Sequence, residues 1–274
     1  VGKQAETRQL EQLSSAIKTA QSVQNEVSKQ PQAHKIDTVL YMASGFDGAS
    51  PFLAFNSART VFAVDQHPFV KDPTLPIRLR VPENDHDGYA LIGAVNDQAQ
   101  SLASTMLWRL SQSIQNFRLI RVVAFTEPTP TAVGRSAQHG LIEFDSGPGT
   151  QVRRYIHIDA NIGSEYRPGQ QPWWLARILN HGINGLLVKG AMSVYANASK
   201  TDVASPARDV TRYLMKNGGI IVDGDTTPAW PWNTAPALHP QVSVSHTPIQ
   251  QFGYSSVDVI TIRPAVQPTN SSTR

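Results

Sequence analysis

The sequence predicts an α/β chain: a doubly wound, mostly parallel sheet of the seven-stranded type, with a C-terminal antiparallel hairpin and an inserted β/α elaboration. Three observations predict it. The runs TVLYMA (38–43), TVFAV (60–64), YIHI (155–158), GLLVK (185–189) and GIIV (219–222) are short and nearly continuous in apolar character, as strands buried on both faces are. Helical stretches lie between several of them, and strand–helix–strand alternation argues a parallel sheet covered by helices. Two late runs, 241–245 and 256–263, flank a turn at 250–253 and read as an edge hairpin.

Taken in order, residues 5–29 contain no Gly or Pro, and Leu10, Leu13, Ile17, Ala20, Val23 and Val27 recur at helical spacing. They predict an N-terminal amphipathic helix within 1–30 that docks on the flank of the domain or pairs with a second helix of its kind. Residues 31–274 then read as a single domain with an insertion at about 66–150. That insertion opens with a stretch rich in Pro, Asp and His (66–89) and continues in a long helix over 90–115, where Leu102, Met106, Leu110 and Ile114 step by four. Two strand-like runs follow, 119–125 and 141–144. Further helices are expected at 173–179 and 207–216, the second stopped by Asn217-Gly218-Gly219. No internal repeat occurs.

Composition excludes several classes. Of 274 residues 40% are apolar and 18 are glycine, enough for a sizeable core. There is no cysteine, which removes disulfides, thiolate metal sites and cysteine nucleophiles. The net charge is +3 with no long run of like charge, unlike a dedicated nucleic-acid binder. No apolar run is long enough for a bilayer-spanning helix. Charged residues are only 16%, replaced by Gln, Asn, Ser and Thr; this suits an extracytoplasmic, periplasmic or secreted protein, with a cytoplasmic one as the alternative. The histidines do not form a metal motif: Asp85-His86-Asp87 projects in different directions and no H-E-x-x-H occurs, so no metal is expected.

In open α/β sheets ligands bind beyond the carboxyl ends of the strands. There stand Ser44-Gly45-Phe46-Asp47-Gly48 after the first run, Asp65 after the second, Asp159 after YIHI, Lys189 and Gly190 after GLLV, and Asp223 and Asp225 after GIIV. Gly45 and Asp65 are 20 positions apart, the interval at which a glycine turn and an acid share a ribose-bearing ligand. Structural roles compete: Asp65, Asp159 and Asp223 as caps or turn acceptors, Lys189 as the ion-pair partner of Asp159 or Asp223. Trp230 and Trp232 sit in the loop after the last core strand, where they could stack on a ligand or pack on the sheet.

The succession VLYMASGFDGA, TVFAVD, RRYIHID, NGLLVKGAMS, YLMKNGGIIVDGD and GYSSVDVITIR resembles the class I S-adenosylmethionine-dependent methyltransferases over roughly 36–263. That resemblance implies S-adenosylmethionine as cofactor. Ser44, Gly45, Asp47 and Gly48 would lie beside its methionine part, Asp65 on the ribose hydroxyls and Asp159 near the adenine amino group, with Asp223, Asp225, Trp230 and Trp232 on the substrate rim. The turn departs from the family's G-x-G core, reading A-S-G-F-D-G, and Lys189-Gly190-Ala191-Met192 takes the place of its acceptor-holding motif. Lys189 would serve as the catalytic base if burial lowered its pKa. Methylation of a small-molecule acceptor is the expected function. The alternative is a non-catalytic secreted or periplasmic module that binds a protein partner.

Overall fold

The computed structural model describes residues 14, 17–18, 20–42, 44–45, 47–70, 102–130, 136–147, 152–161, 171–189, 205–225, 241–251 and 254–264. In chain order these form helix α1 over 20–28, β1 (Thr38–Met42), α2 (Ser50–Ala54), β2 (Thr60–Asp65), α3 (Leu102–Ser113), β3 (Arg118–Pro130) and β4 (Ser136–Asp145). There follow β5 (Arg153–Asp159), α4 (Trp173–His181), β6 (Gly185–Lys189), α5 (Ser205–Asn217), β7 (Gly219–Asp225), β8 (Val242–Gln251) and β9 (Tyr254–Ile262).

One sheet of nine strands runs in the order β3-β4-β5-β2-β1-β6-β7-β9-β8. Its centre is parallel: β2 lies beside β1 and β5, and β6 beside β1 and β7. Successive residues of these strands alternate between two cores, as the pleat requires. Val39, Tyr41, Val61, Ala63, Tyr155 and Val222 face α2, α3 and the α1 residues Val23 and Val27. Leu40, Met42, Phe62, Val64, Leu186 and Ile221 face α4 and α5 through Trp174, Leu175, Val210 and Leu214. Asn184 sets where β1 and β6 begin: its Oδ1 accepts the amides of Asp37 and Thr38, both at 3.1 Å.

The expected architecture is corrected on this evidence. The sheet is mixed, not a mostly parallel, doubly wound sheet of seven strands: β3–β4, β4–β5, β7–β9 and β8–β9 all pair antiparallel. Only the late hairpin was expected to do so. Within the inserted region β4 bonds directly to β5 and carries β3 with it as a long hairpin, so both strands belong to the one sheet. A hairpin joined by a short connection can pair only antiparallel. The runs 119–125 and 141–144 mark these strands, but nothing local in them places β4 beside β5.

The helix expected over 90–115 spans Leu102–Ser113 among the described residues. The stop at Asn217-Gly218-Gly219 forms as read: Gly218 takes φ +79, and its amide closes on Leu214 O at 2.6 Å. Among the described residues no helix is long and apolar enough to cross a membrane.

Candidate functional site

The chain leaves β1 toward β2 and β5 on one side and enters β6 and β7 on the other, so the order reverses beside the carboxyl end of β1. A crevice opens at such a point. The turn after β1 lies there. Ser44 N donates to Val64 O at 3.3 Å and Asp47 N to Ser44 O at 3.0 Å, which curls the chain against β2. Gly45 holds φ +54, a left-handed conformation that glycine adopts without a Cβ clash. A Cβ at Gly45 would meet nothing within 4 Å, so the space over it is open.

Asp65 ends β2 and is nearly buried, at 9% exposure. Its Oδ2 accepts the Gly45 amide at 2.8 Å. Its Oδ1 accepts the His67 amide at 3.2 Å and is in close contact with His67 Nδ1. Three of about four acceptor positions on the carboxylate are therefore taken by the protein. Asp159 lies in register beside Asp65 across β2–β5 and is 1% exposed. Its Oδ2 accepts the Gln138 amide at 2.8 Å, tying β4 to the rim.

The other turn residues have structural partners. Asp47 Oδ1 accepts Ser50 N at 3.2 Å, while Oδ2 accepts Ser50 Oγ at 2.6 Å and Tyr41 Oη at 3.1 Å. It thus caps the first turn of α2. Gly48 is closely packed: a Cβ there would lie 2.6 Å from Met106 Sδ and 3.3 Å from Tyr155 Cε2, so the Met106 side chain would have to shift. Ser44 is 3% exposed, and its Oγ and the buried Tyr155 Oη each lack a well-formed hydrogen bond among the described residues. The phenol lies against the Ser44 hydroxyl and near Asp47 and Asp65, and burial raises its pKa well above the usual range.

Two histidines that the sequence suggests are structural or solvated, His157 and His139, belong to this rim. His157 is fully buried two residues before Asp159, stacked on Phe69 with ring centroids 5.9 Å apart. Its Nε2 lies 2.7 Å from His67 O. A carbonyl only accepts, so Nε2 carries the proton and Nδ1 presents a lone pair; Nδ1 has no partner among the described residues. Burial pushes this imidazole down to about 4. His139 on β4 accepts the Asp159 amide on Nδ1 at 3.1 Å, which leaves its proton on Nε2, 3.2 Å from Glu127 Oε2. Burial lowers its pKa against the pull of Glu127. The step of two between His157 and Asp159 was the available signal, since it puts both on one strand face.

The remaining rim residues divide. Asp223 is 8% exposed and stands opposite Asp258, which pairs with His246 Nδ1 at 2.6 Å. Alternation puts Asp223 on the face of Ile221, whereas Asp65 and Asp159 share the face of Ala63 and Tyr155. The acids reach the same end of the sheet on opposite faces. Lys189 ends β6 in register with Gly224, and Asp225 ends β7 opposite Ser256. The side chains of Lys189 and Asp225, and all of Trp230 and Trp232, lie outside the described residues, as does Asp85-His86-Asp87.

At the opposite end, the starts of β1, β2 and β5 border a polar cleft of about 390 Å³ lined by Asp37, Thr38, Arg59, Thr60, Arg154 and His181. Its cations are paired: Arg59 with Asp37 at 3.2 Å, and Arg154 with Glu143 at 2.7 Å. No residue singled out from the sequence lies there. Among the described residues no group of three or more His, Cys, Asp or Glu is arranged to hold a metal ion. Neither a protein-family model nor a curated protein matches the chain, so the reading of the rim rests on its geometry.

Proposed function

We propose that the chain is a methyltransferase-like protein that binds S-adenosylmethionine at the Ser44, Gly45, Asp47, Gly48, Asp65 and Asp159 rim and methylates a small-molecule acceptor. The observation that carries this reading is the hydrogen bond from Gly45 to Asp65, which joins an open glycine turn to an acid beside the reversal of strand order. Charge supports it. Three carboxylates, Asp47, Asp65 and Asp159, stand with two imidazoles that burial disposes to stay neutral. That environment favours a ligand carrying sulfonium and ammonium charge over a phosphate. The N-terminus of α2, where a dinucleotide phosphate would sit, is already capped by Asp47.

S-adenosylmethionine supplies an electrophilic methyl group; the protein's part is alignment and water exclusion. Asp65 would accept the ribose hydroxyls. A diol needs two acceptor positions where one remains, so the His67 ring leaves Asp65 as the ligand enters. Ser44 Oγ and Tyr155 Oη would gain hydrogen-bond partners.

Calorimetric titration with S-adenosylhomocysteine tests the proposal. Saturable binding that weakens at least about tenfold in Asp65→Ala is expected. No heat and no thermal shift at millimolar ligand contradicts it. One observation favours the second reading, a non-catalytic protein-binding module: the protein itself takes three positions on Asp65 and fills the space beside Gly48 with Met106.

A further inference from the structure

Strand β3 ends the sheet and pairs only with β4 among the described strands. Such a strand leaves a row of backbone donors and acceptors open to another strand. Of the four large apolar side chains exposed among the described residues, three lie on it: Ile120 at 48%, Val123 at 38% and Phe125 at 49%. Ile120 stands at an irregularity in the β3–β4 register. Beyond it Arg121, Val123, Phe125 and Glu127 follow at steps of two on the face opposite Val122 and Ala124, which pack into the first core, and Phe125 lies against the His139 ring of β4. A cation thus stands at one end of the stretch, an acid at the other, and apolar side chains between; within the chain Arg121 pairs with Glu143 and Glu127 with His139.

We propose that β3 pairs antiparallel with β3 of a second copy of this chain, about a twofold axis at Ala124. That register sets Arg121 opposite the partner's Glu127 and Val123 opposite the partner's Phe125, and the axis repeats both pairs. An isologous contact requires a surface complementary to itself, and a strand with opposite charges equidistant from its centre meets that condition only in the antiparallel sense. Pro128 and Pro130 have no amide hydrogen, which ends the ladder beyond Glu127. The occupant is therefore a second copy.

Charge exchange across the axis tests it, with analytical ultracentrifugation reading mass and circular dichroism reading fold. The wild-type chain is expected to be dimeric. Arg121→Glu alone and Glu127→Arg alone each face like charges twice and dissociate at least about tenfold more readily. Mixed in equal amounts, the two variants restore both opposite-charge pairs and form a heterodimer. Phe125→Lys, at a half-exposed position, also yields a monomer and serves if either charge variant misfolds. A monomeric wild-type chain overturns the proposal, including one whose β3 amides are protected from exchange by another segment of the chain itself. A dimer insensitive to all three variants overturns it too, as do two folded variants that fail to associate on mixing.

Discussion

The amide of Gly45 donates to Asp65 Oδ2 at 2.8 Å, so the glycine turn after β1 and the acid ending β2 form one unit although 20 positions separate them. The bond holds the turn against β2. It also makes Asp65 serve two ends, since the carboxylate that would meet a ligand is the one that holds the turn.

Asp65→Ala is expected to destabilise the fold by about 1–2 kcal/mol, because the part-buried Gly45 amide loses its acceptor. Denaturant midpoints of the two proteins check this. Asp65→Asn, which keeps an acceptor oxygen for Gly45, is expected to lose less stability while still weakening S-adenosylhomocysteine binding.

Two glycines separate backbone strain from packing. Gly45→Ala places a Cβ in open space at φ +54, so its cost is conformational, about 1 kcal/mol. Gly140→Ala places one 2.0 Å from Phe69 Cδ1, a ring with no exposure, and is expected to cost about 3 kcal/mol or prevent folding. Equal midpoints for the two variants would show that this packing is misdescribed.

Tyr155→Phe removes a buried hydroxyl that has no well-formed partner and keeps the ring. Stability is expected to change by less than about 0.5 kcal/mol. A simultaneous fall in S-adenosylhomocysteine affinity assigns the hydroxyl to the ligand; a large loss of stability assigns it to the fold.

Stability is expected to fall as pH drops from about 6.5 toward about 4. The His157 imidazole is lowered by burial from 6.5 to about 4. Within that window the unfolded chain binds a proton that the folded chain does not, so acid favours unfolding, by a total on the order of 3 kcal/mol. His139, lowered by burial, contributes in the same sense. Urea midpoints measured across the window are expected to slope less steeply in His157→Gln than in the wild-type chain.

The central strands were legible because each carries a continuous apolar run: TVFAV became β2 with the added Asp65, and GLLVK became β6 over the same residues. Their ends located the rim for the same reason. The pairing of β4 with β5 was not legible, since Gly140 and His157 meet through a sheet register that no local pattern encodes. Asp223 reaches the same end of the sheet as Asp65 and Asp159 but on the other face, a parity of one residue that strand-end positions alone do not show. Tyr155 and His157 stand inside YIHI, a run legible as a strand from its apolar character, which says nothing of their polar atoms. Their polar atoms matter only once the turn above them closes.

The most direct measurement is an amide nitrogen–proton correlation spectrum recorded with increasing S-adenosylhomocysteine. A ligand seated on the rim is expected to shift the Gly45 amide, along with those of His67 and Asp159, and to leave the β8–β9 amides unmoved. A spectrum unchanged at millimolar ligand, or one in which only residues remote from Gly45 shift, contradicts the account.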